Sequence, residues 1–185
     1  SGAAFTTAAF AEPALFALTV PPVASAARDA GGRRIGMTDV EILTGNVAHL
    51  RWMDNRYGSG RIREWSVQLL HHAATTLLGG SYSDSTRRAL LTAVAQAARM
   101  AADVGRPALA QRYYIQALNL ALHAGNWLFT ATILCDMSRL TIHNATGTRC
   151  ARHAIALARA GITVAGKATP ALAAQLSAVE ARGHA

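Results

Sequence analysis

The chain has 185 residues, of which 51% are hydrophobic and only 15% charged, and its formal net charge is +8. That length and polarity fit one domain, or one domain with an arm, and exclude wholesale disorder. No run approaches the roughly 20 apolar residues that a membrane-spanning helix needs, so no membrane association is expected.

Alanine is abundant, aromatic residues are 6%, and only five prolines interrupt the chain. This composition favours helices with close backbone approach over a β-sandwich. The basic residues are arginines except for Lys167, and they are scattered, with Arg33-Arg34 and Arg87-Arg88 the only adjacent pairs. Such scatter reads as a composition bias rather than a phosphate-binding surface, and no direct DNA binding by this chain is expected. Cys135 and Cys150 are the two cysteines. They form neither a Cys-x-x-Cys motif nor a disulfide framework, which points to a reducing cytoplasm.

Residues 1–36 read as an apolar arm or linker. Phe5 to Val23 contains Pro13, Pro21 and Pro22 and shows no sustained helical period, and Asp29 to Gly32 reads as a joint. Phe10, Leu15, Phe16 and Val20 are apolar enough that the arm should lie against something. Residues 37–185 read as the helical domain. Thr38 and Glu41 have capping-box spacing, and Val40, Leu43, Val47 and Leu50 form one helical stripe, ending near Tyr57 before Gly58-Ser59-Gly60. A second helix carries Ile62, Trp65, Leu69 and Ala73, and a third, from about Ser85, carries Leu90, Leu91, Val94, Ala98 and Ala101. Gly105-Arg106-Pro107 separates it from a fourth, Pro107 to Ala124. A fifth spans Trp127 to Asn144, a sixth Thr148 to Val164, and Thr169-Pro170 opens a seventh with Leu172, Leu176 and Val179 as its stripe. The expectation is an all-α array of about seven antiparallel helices joined by short turns, with no sheet.

The fourth and sixth helices superpose at an offset of 41 residues: Ala110 falls on Ala151, Ala117 on Ala158, and Ala124-Gly125 on Ala165-Gly166. Small residues recurring where two helices would cross are the mark of stacked helix pairs. Residues Gly105 to Leu118, with Ala110, Tyr113, Tyr114 and Ala117, resemble the second half of a tetratricopeptide repeat. Gly36 to Leu43, Leu50-Arg51-Trp52-Met53-Asp54-Asn55-Arg56-Tyr57-Gly58-Ser59-Gly60 and Ala110 to Leu118 resemble the C-terminal sensor domain of actinobacterial helix-turn-helix transcriptional regulators. The resemblance covers about residues 33 to 185. It implies a tetratricopeptide-like effector-binding domain, and since no helix-turn-helix precedes it here, an excised domain or shortened relative.

Several side chains are candidates for a site. Asp54 and Arg56, with Tyr57, sit at the end of the first helix, as a polar pocket or as a pair locking the turn. Arg99, Asp103, Asp136, His143 and Asn144 fall on the first helices of their pairs, which in a repeat array line the concave groove; the alternative is a solvated face. Trp52, Trp65 and Trp127 are read either as a pocket floor or as core. On one helix His71 and His72 point about 100° apart, one toward the core and one to solvent, and do not grip one metal. Cys135 and His143 are too far apart along one helix to share a tetrahedral centre with Cys150 and His153. No catalytic motif, metal site or cofactor is expected. The first functional reading is a regulatory module binding a small-molecule effector or a peptide or protein segment. The alternative is a small-molecule enzyme of secondary metabolism, with Asp54, Glu64 or His71 as acid or base. The seventh helix, half of a repeat, and the apolar arm together predict a homodimer.

Overall fold

The computed structural model describes residues 4–19, 33–60, 62–144, 147–166 and 169–184. It is an all-α array. A short 3₁₀ turn, Thr7–Phe10, leads into α1 (Ala11–Thr19), and α2 (Met37–Tyr57), α3 (Arg63–His72), α4 (Asp84–Asp103), α5 (Pro107–Ala124), α6 (Trp127–Asn144), α7 (Thr148–Ala165) and α8 (Pro170–His184) follow. A π-helical turn, Ala73–Leu77, extends α3. Among the described residues there is no strand, only an isolated bridge between Arg34 and Ser81.

The seven helices expected after residue 37 are α2–α8. Four of their starts follow from local chemistry. Ser83 Oγ accepts the Thr86 N–H and caps α4. Pro107 occupies the first turn of α5, where no N–H is needed. Asn126 Oδ1 accepts the Phe129 N–H at the head of α6. Thr169 Oγ1 accepts the Leu172 N–H at 3.4 Å and opens α8. The cap of α2 differs from the one read in the sequence. Asp39, not Thr38 with Glu41, does the work: its carboxylate accepts the Gly36 N–H at 2.9 Å and pairs with Arg33 at 2.7 Å. The helix therefore begins earlier than Thr38, and Gly36 takes the extended cap position.

The strongest interhelix packing joins α4 to α5 and α6 to α7, giving two antiparallel hairpins. α5 and α7 match in length and in their ends, as the 41-residue offset requires. Gly125 and Gly166 follow them at φ 68° and 54°, a left-handed region in which a side chain would be strained. Ala110, Ala117 and Ala158 are buried at the crossings, while Ala151 is half-buried. α8 covers the second hairpin, packing on both α7 and α6 through Leu172, Leu176 and Val179. Gly161 gives it room: a Cβ there would stand 2.7 Å from Leu176 Cδ2. Because Ala117 is fully buried, Ala117→Leu should overpack the α4–α5 hairpin and cost about 1–3 kcal/mol. A thermal melt indistinguishable from the parent would count against this packing.

The arm is more ordered than its sequence implies. Pro13 does not prevent α1, because it stands in the first turn, where the missing N–H has no intrahelical partner to lose. Phe10 is 1% exposed within the main core, and Phe5 meets it edge-on at 6.2 Å. α1 lies on α7 and α5. The buried Gln111 side chain of α5 holds the arm's backbone at both ends of its amide, accepting the Thr6 N–H and donating to the Thr6 carbonyl. Val20 and the Asp29–Gly32 joint lie outside the described residues, as do the side chains of Leu15 and Phe16.

Candidate functional site

α2, α4 and α6 share one side of the array. Toward the C-terminal ends of all three lies a cleft of about 360 Å³, lined by Arg51 and Asp54 of α2, Arg99 and Asp103 of α4, Tyr114 of α5, and Asp136, Arg139, Leu140, His143 and Asn144 of α6. Arg51 and Arg99 also line a smaller, more apolar recess with Thr44, Val47, Ala48, Gln96 and Phe129. Thr44 and Gln96 in turn line a broad depression of about 780 Å³ reaching Trp127, Leu128 and Thr169. The two shared boundaries make the three one groove. It follows α6 from Trp127 to Asn144, about 25 Å at 1.5 Å per residue.

The polar end of the groove is fixed by bonds between helices. Arg99 Nε donates to Asp136 Oδ2 at 2.6 Å, joining α4 to α6, and Arg139 approaches the other carboxylate oxygen at 3.7 Å. Tyr114 Oη donates to Asp103 Oδ1 at 2.6 Å, and Arg51 pairs with Asp103 Oδ2 at 3.3 Å, joining α2 to α4. Burial and charge shape these groups. Burial pushes the Asp136 carboxyl above the usual carboxylate range and prevails over the pull of Arg99. Burial also acts against the charge of Arg99, but Asp136, and then Asp103, outweigh it and hold the guanidinium above its ordinary value. The Tyr114 hydroxyl is pushed far up, first by burial and then by Asp103, so it stays protonated as a donor. Asp54, His143 and the side-chain oxygen of Asn144 have no such interhelix partner among the described residues, and they complete the lining.

Six of the eight residues singled out in the sequence thus meet in one cleft: Asp54, Arg99, Asp103, Asp136, His143 and Asn144. Arg56 and Trp65 do not line it. Arg56 is exposed on the last turn of α2 and makes no ion pair with Asp54 among the described residues, and Trp65 is 52% exposed on α3. Trp52 is exposed too, stacked on His49 at 5.8 Å and edge-on to Tyr57 at 6.0 Å, so neither tryptophan is pocket floor or core. The inward positions of these two helices are held instead by neighbours such as Leu50, Ser66 and Leu70. Trp127 is half-buried against the main core. His71 and His72 are both exposed, because the inward face of α3 runs through Ser66, Leu70 and Ala73. Glu64 and His71 lie on α3, outside the cleft that holds Asp54.

Arg51, Tyr114, Arg139 and Leu140 line the cleft without having been marked in the sequence. Arg51 and Arg139 stand one turn from Asp54 and Asp136, a spacing that shares a helix face and was available as a signal. Tyr114 comes from the second helix of its hairpin, and nothing in its spacing announces that it reaches the groove.

Cys135 faces away from the cleft, packed with Ala158, Leu172 and Leu176. Both cysteines are free. No group of three or more metal-ligating side chains comes together among the described residues, and no described helix is long and apolar enough to cross a membrane. Burial, reinforced by Asp136, pushes the Cys135 thiol up to about 11, and the reactive species is the thiolate. At pH 8 iodoacetamide should therefore label the half-buried Cys150 and leave Cys135 unmodified, with Cys135 gaining reactivity only as the pH approaches 11. Equal labelling of both at pH 8, read by peptide mass spectrometry, would contradict this.

Compared with protein-family models, curated proteins and solved structures, the chain shows no significant match to any of them.

Proposed function

We propose that this chain is a regulatory binding module without an acid–base step of its own, in which the groove along α2, α4 and α6 receives an extended effector or a peptide segment. One observation carries the reading. Three helices converge charged and hydrogen-bonding groups on a single cleft, three interhelix bonds hold its walls, and Asp54, His143 and Asn144 are left to engage a ligand. The wall is rigid, the free groups carry both donor and acceptor character, and the groove continues past an apolar recess. A groove about 25 Å long suits an elongated ligand better than a compact substrate. The three groups that would serve an acid–base enzyme, Asp54, Glu64 and His71, are not assembled, which weighs against that alternative.

The resemblance to sensor domains of helix-turn-helix regulators supports the same reading. Its most specific run, Leu50 to Gly60, supplies Arg51 and Asp54 to the groove. Free thiols at Cys135 and Cys150 agree with a cytoplasmic setting. Self-association belongs to the proposal: Ile42, Trp52 and Trp65 are each more than half exposed on α2 and α3, an apolar surface suited to a second copy. Native mass spectrometry of freshly purified protein tests both elements together. The expected spectrum shows a dimer carrying a retained ligand mass that Asp54→Ala/His143→Ala abolishes. A bare monomer, or an adduct indifferent to those substitutions, would overturn the reading.

A further inference from the structure

Four of the eight large apolar side chains exposed among the described residues, Met37, Ile42, Trp52 and Tyr57, belong to α2. The inner side of that helix is filled by Val40, Leu43, Val47 and Leu50. At about 100° per residue, Ile42, Gly45, His49 and Trp52, with Glu41 and Arg56 toward the two ends, fall on one stripe about 100° wide on the opposite side, and all six are exposed. On this stripe the Trp52 ring stacks on His49 and is met edge-on by Tyr57. Gly45 sits in its middle. Glycine is a poor residue for a helix interior, and no packing within the chain requires it here: a Cβ at Gly45 would meet nothing within 4 Å. Neither the Glu41 nor the Arg56 side chain has a hydrogen bond or ion pair among the described residues.

We infer that this stripe is the interface of a two-fold dimer, in which α2 packs antiparallel on α2 of a second copy and the helices cross beside Gly45. The inference rests on the self-association proposed above and gives it a surface and an orientation. Charge decides the orientation. A parallel pair would set Glu41 on Glu41 and Arg56 on Arg56, like charge on like. An antiparallel pair centred at the level of Val47 sets Ile42 opposite Trp52 of the second copy and Gly45 opposite His49 of the second copy, so small meets large along the stripe. In that register Glu41 lies three residues, about 4.5 Å along the axis, from the level of Arg56 of the second copy, within reach of an arginine side chain. The two-fold axis repeats each contact, as an isologous interface requires. The stripe thus complements itself in size and in charge, with an exposed tryptophan as its anchor. Gly45 lets the two backbones approach, which gives that residue the role that its own chain does not. The stripe shares no residue with the groove lining.

Sedimentation equilibrium of the full chain over a micromolar concentration series tests the inference, since an interface of one helix from each copy is small and its Kd should lie in that range. Gly45→Gln improves helix propensity and meets nothing in its own chain, so it should abolish the dimer and leave the thermal melt intact. Trp52→Ala should raise the Kd about thirtyfold. Glu41→Arg and Arg56→Glu should each raise it about tenfold, and the double reversal Glu41→Arg/Arg56→Glu should return it to within about threefold of the parent. The two positions are fifteen residues apart on one helix, about 22 Å, so that rescue reports a contact between copies, and an antiparallel one. A parent that is monomeric across the series overturns this dimer and the self-association with it. A parent dimer that Gly45→Gln and the single reversals leave unchanged, or that the double reversal fails to restore, overturns this interface alone. Asp54→Ala/His143→Ala should not alter the dimer, so ligand binding in the groove stands or falls separately.

Discussion

Asp136→Ala should lower the unfolding free energy by about 3 kcal/mol, the low end of what breaking a buried ion pair costs. The side chains of Asp136 and Arg99 are 8% and 22% exposed, so removing the carboxylate strands a largely desolvated guanidinium between α4 and α6. Asp136→Asn should cost much less, about 1 kcal/mol, because the amide oxygen still accepts from Arg99 Nε and the neutral group suits a site that already disfavours charge. Replacing both partners together, Arg99→Met with Asp136→Leu, should recover most of the loss. Urea titrations of the four proteins measure this directly. If Asp136→Ala falls within about 0.5 kcal/mol of the parent, the pair is a solvated surface contact and the groove wall is less rigid than described.

The raised carboxyl of Asp136 has a defined pH consequence. A group whose folded value lies above its unfolded value contributes stability that is complete below the unfolded value and is lost as the pH rises through the folded one. Asp136 therefore favours the fold most in acid, and its ionisation weakens that contribution. Asp136→Asn should remove this component, leaving a flatter stability profile across the acid range than the parent shows.

Phe10→Ala should cost about 3 kcal/mol, or less if the arm leaves first. Phe10 is 1% exposed, and deleting a buried phenyl ring sacrifices its transfer energy and leaves a cavity. The loss is bounded by what docking of the arm contributes: once residues 5–19 detach from α5 and α7, nothing further is lost. Hydrogen exchange separates the two cases. Faster exchange confined to residues 5–19, with the α4–α7 hairpins unchanged, means local release. Unaltered exchange and melting temperature would mean that the arm contributes nothing to the core.

The helices were readable because three kinds of signal agreed from α4 onward. Apolar period and turn residues placed α4 to α8 to within a residue or two, the 41-residue recurrence tied α5 to α7, and Gly125 and Pro107 fixed ends that period alone leaves vague. The arm was not readable as a helix because Pro13 is judged by its presence in the sequence, whereas its effect depends on its position within a turn. Most of the groove was readable because the first helices of stacked pairs share one face, which brings Arg99, Asp136 and His143 together without any knowledge of their partners. The tryptophans misled for the opposite reason. Size argues for burial, but Trp52 and Trp65 fall on helix faces turned from the core, and the stripe through Val40, Leu43, Val47 and Leu50 already fills α2's inner side. Tyr114 required the tertiary structure, since only the crossing of α4 and α5 brings it to Asp103.

If the groove, and its charged end in particular, is where this chain meets its partner, the residues lining it should respond to ligand. The most direct test is a two-dimensional ¹H–¹⁵N NMR titration of the full chain with a panel of zwitterionic ligands running from free amino acids to hexapeptides. The longer ligands should bind more tightly, and their shift changes should cluster at Asp54, Arg139, His143 and Asn144 and extend along α6 toward Trp127. Asp54→Ala/His143→Ala should erase the cluster. A panel in which no ligand perturbs these residues, or in which the perturbations gather on another face and survive the double substitution, would contradict it.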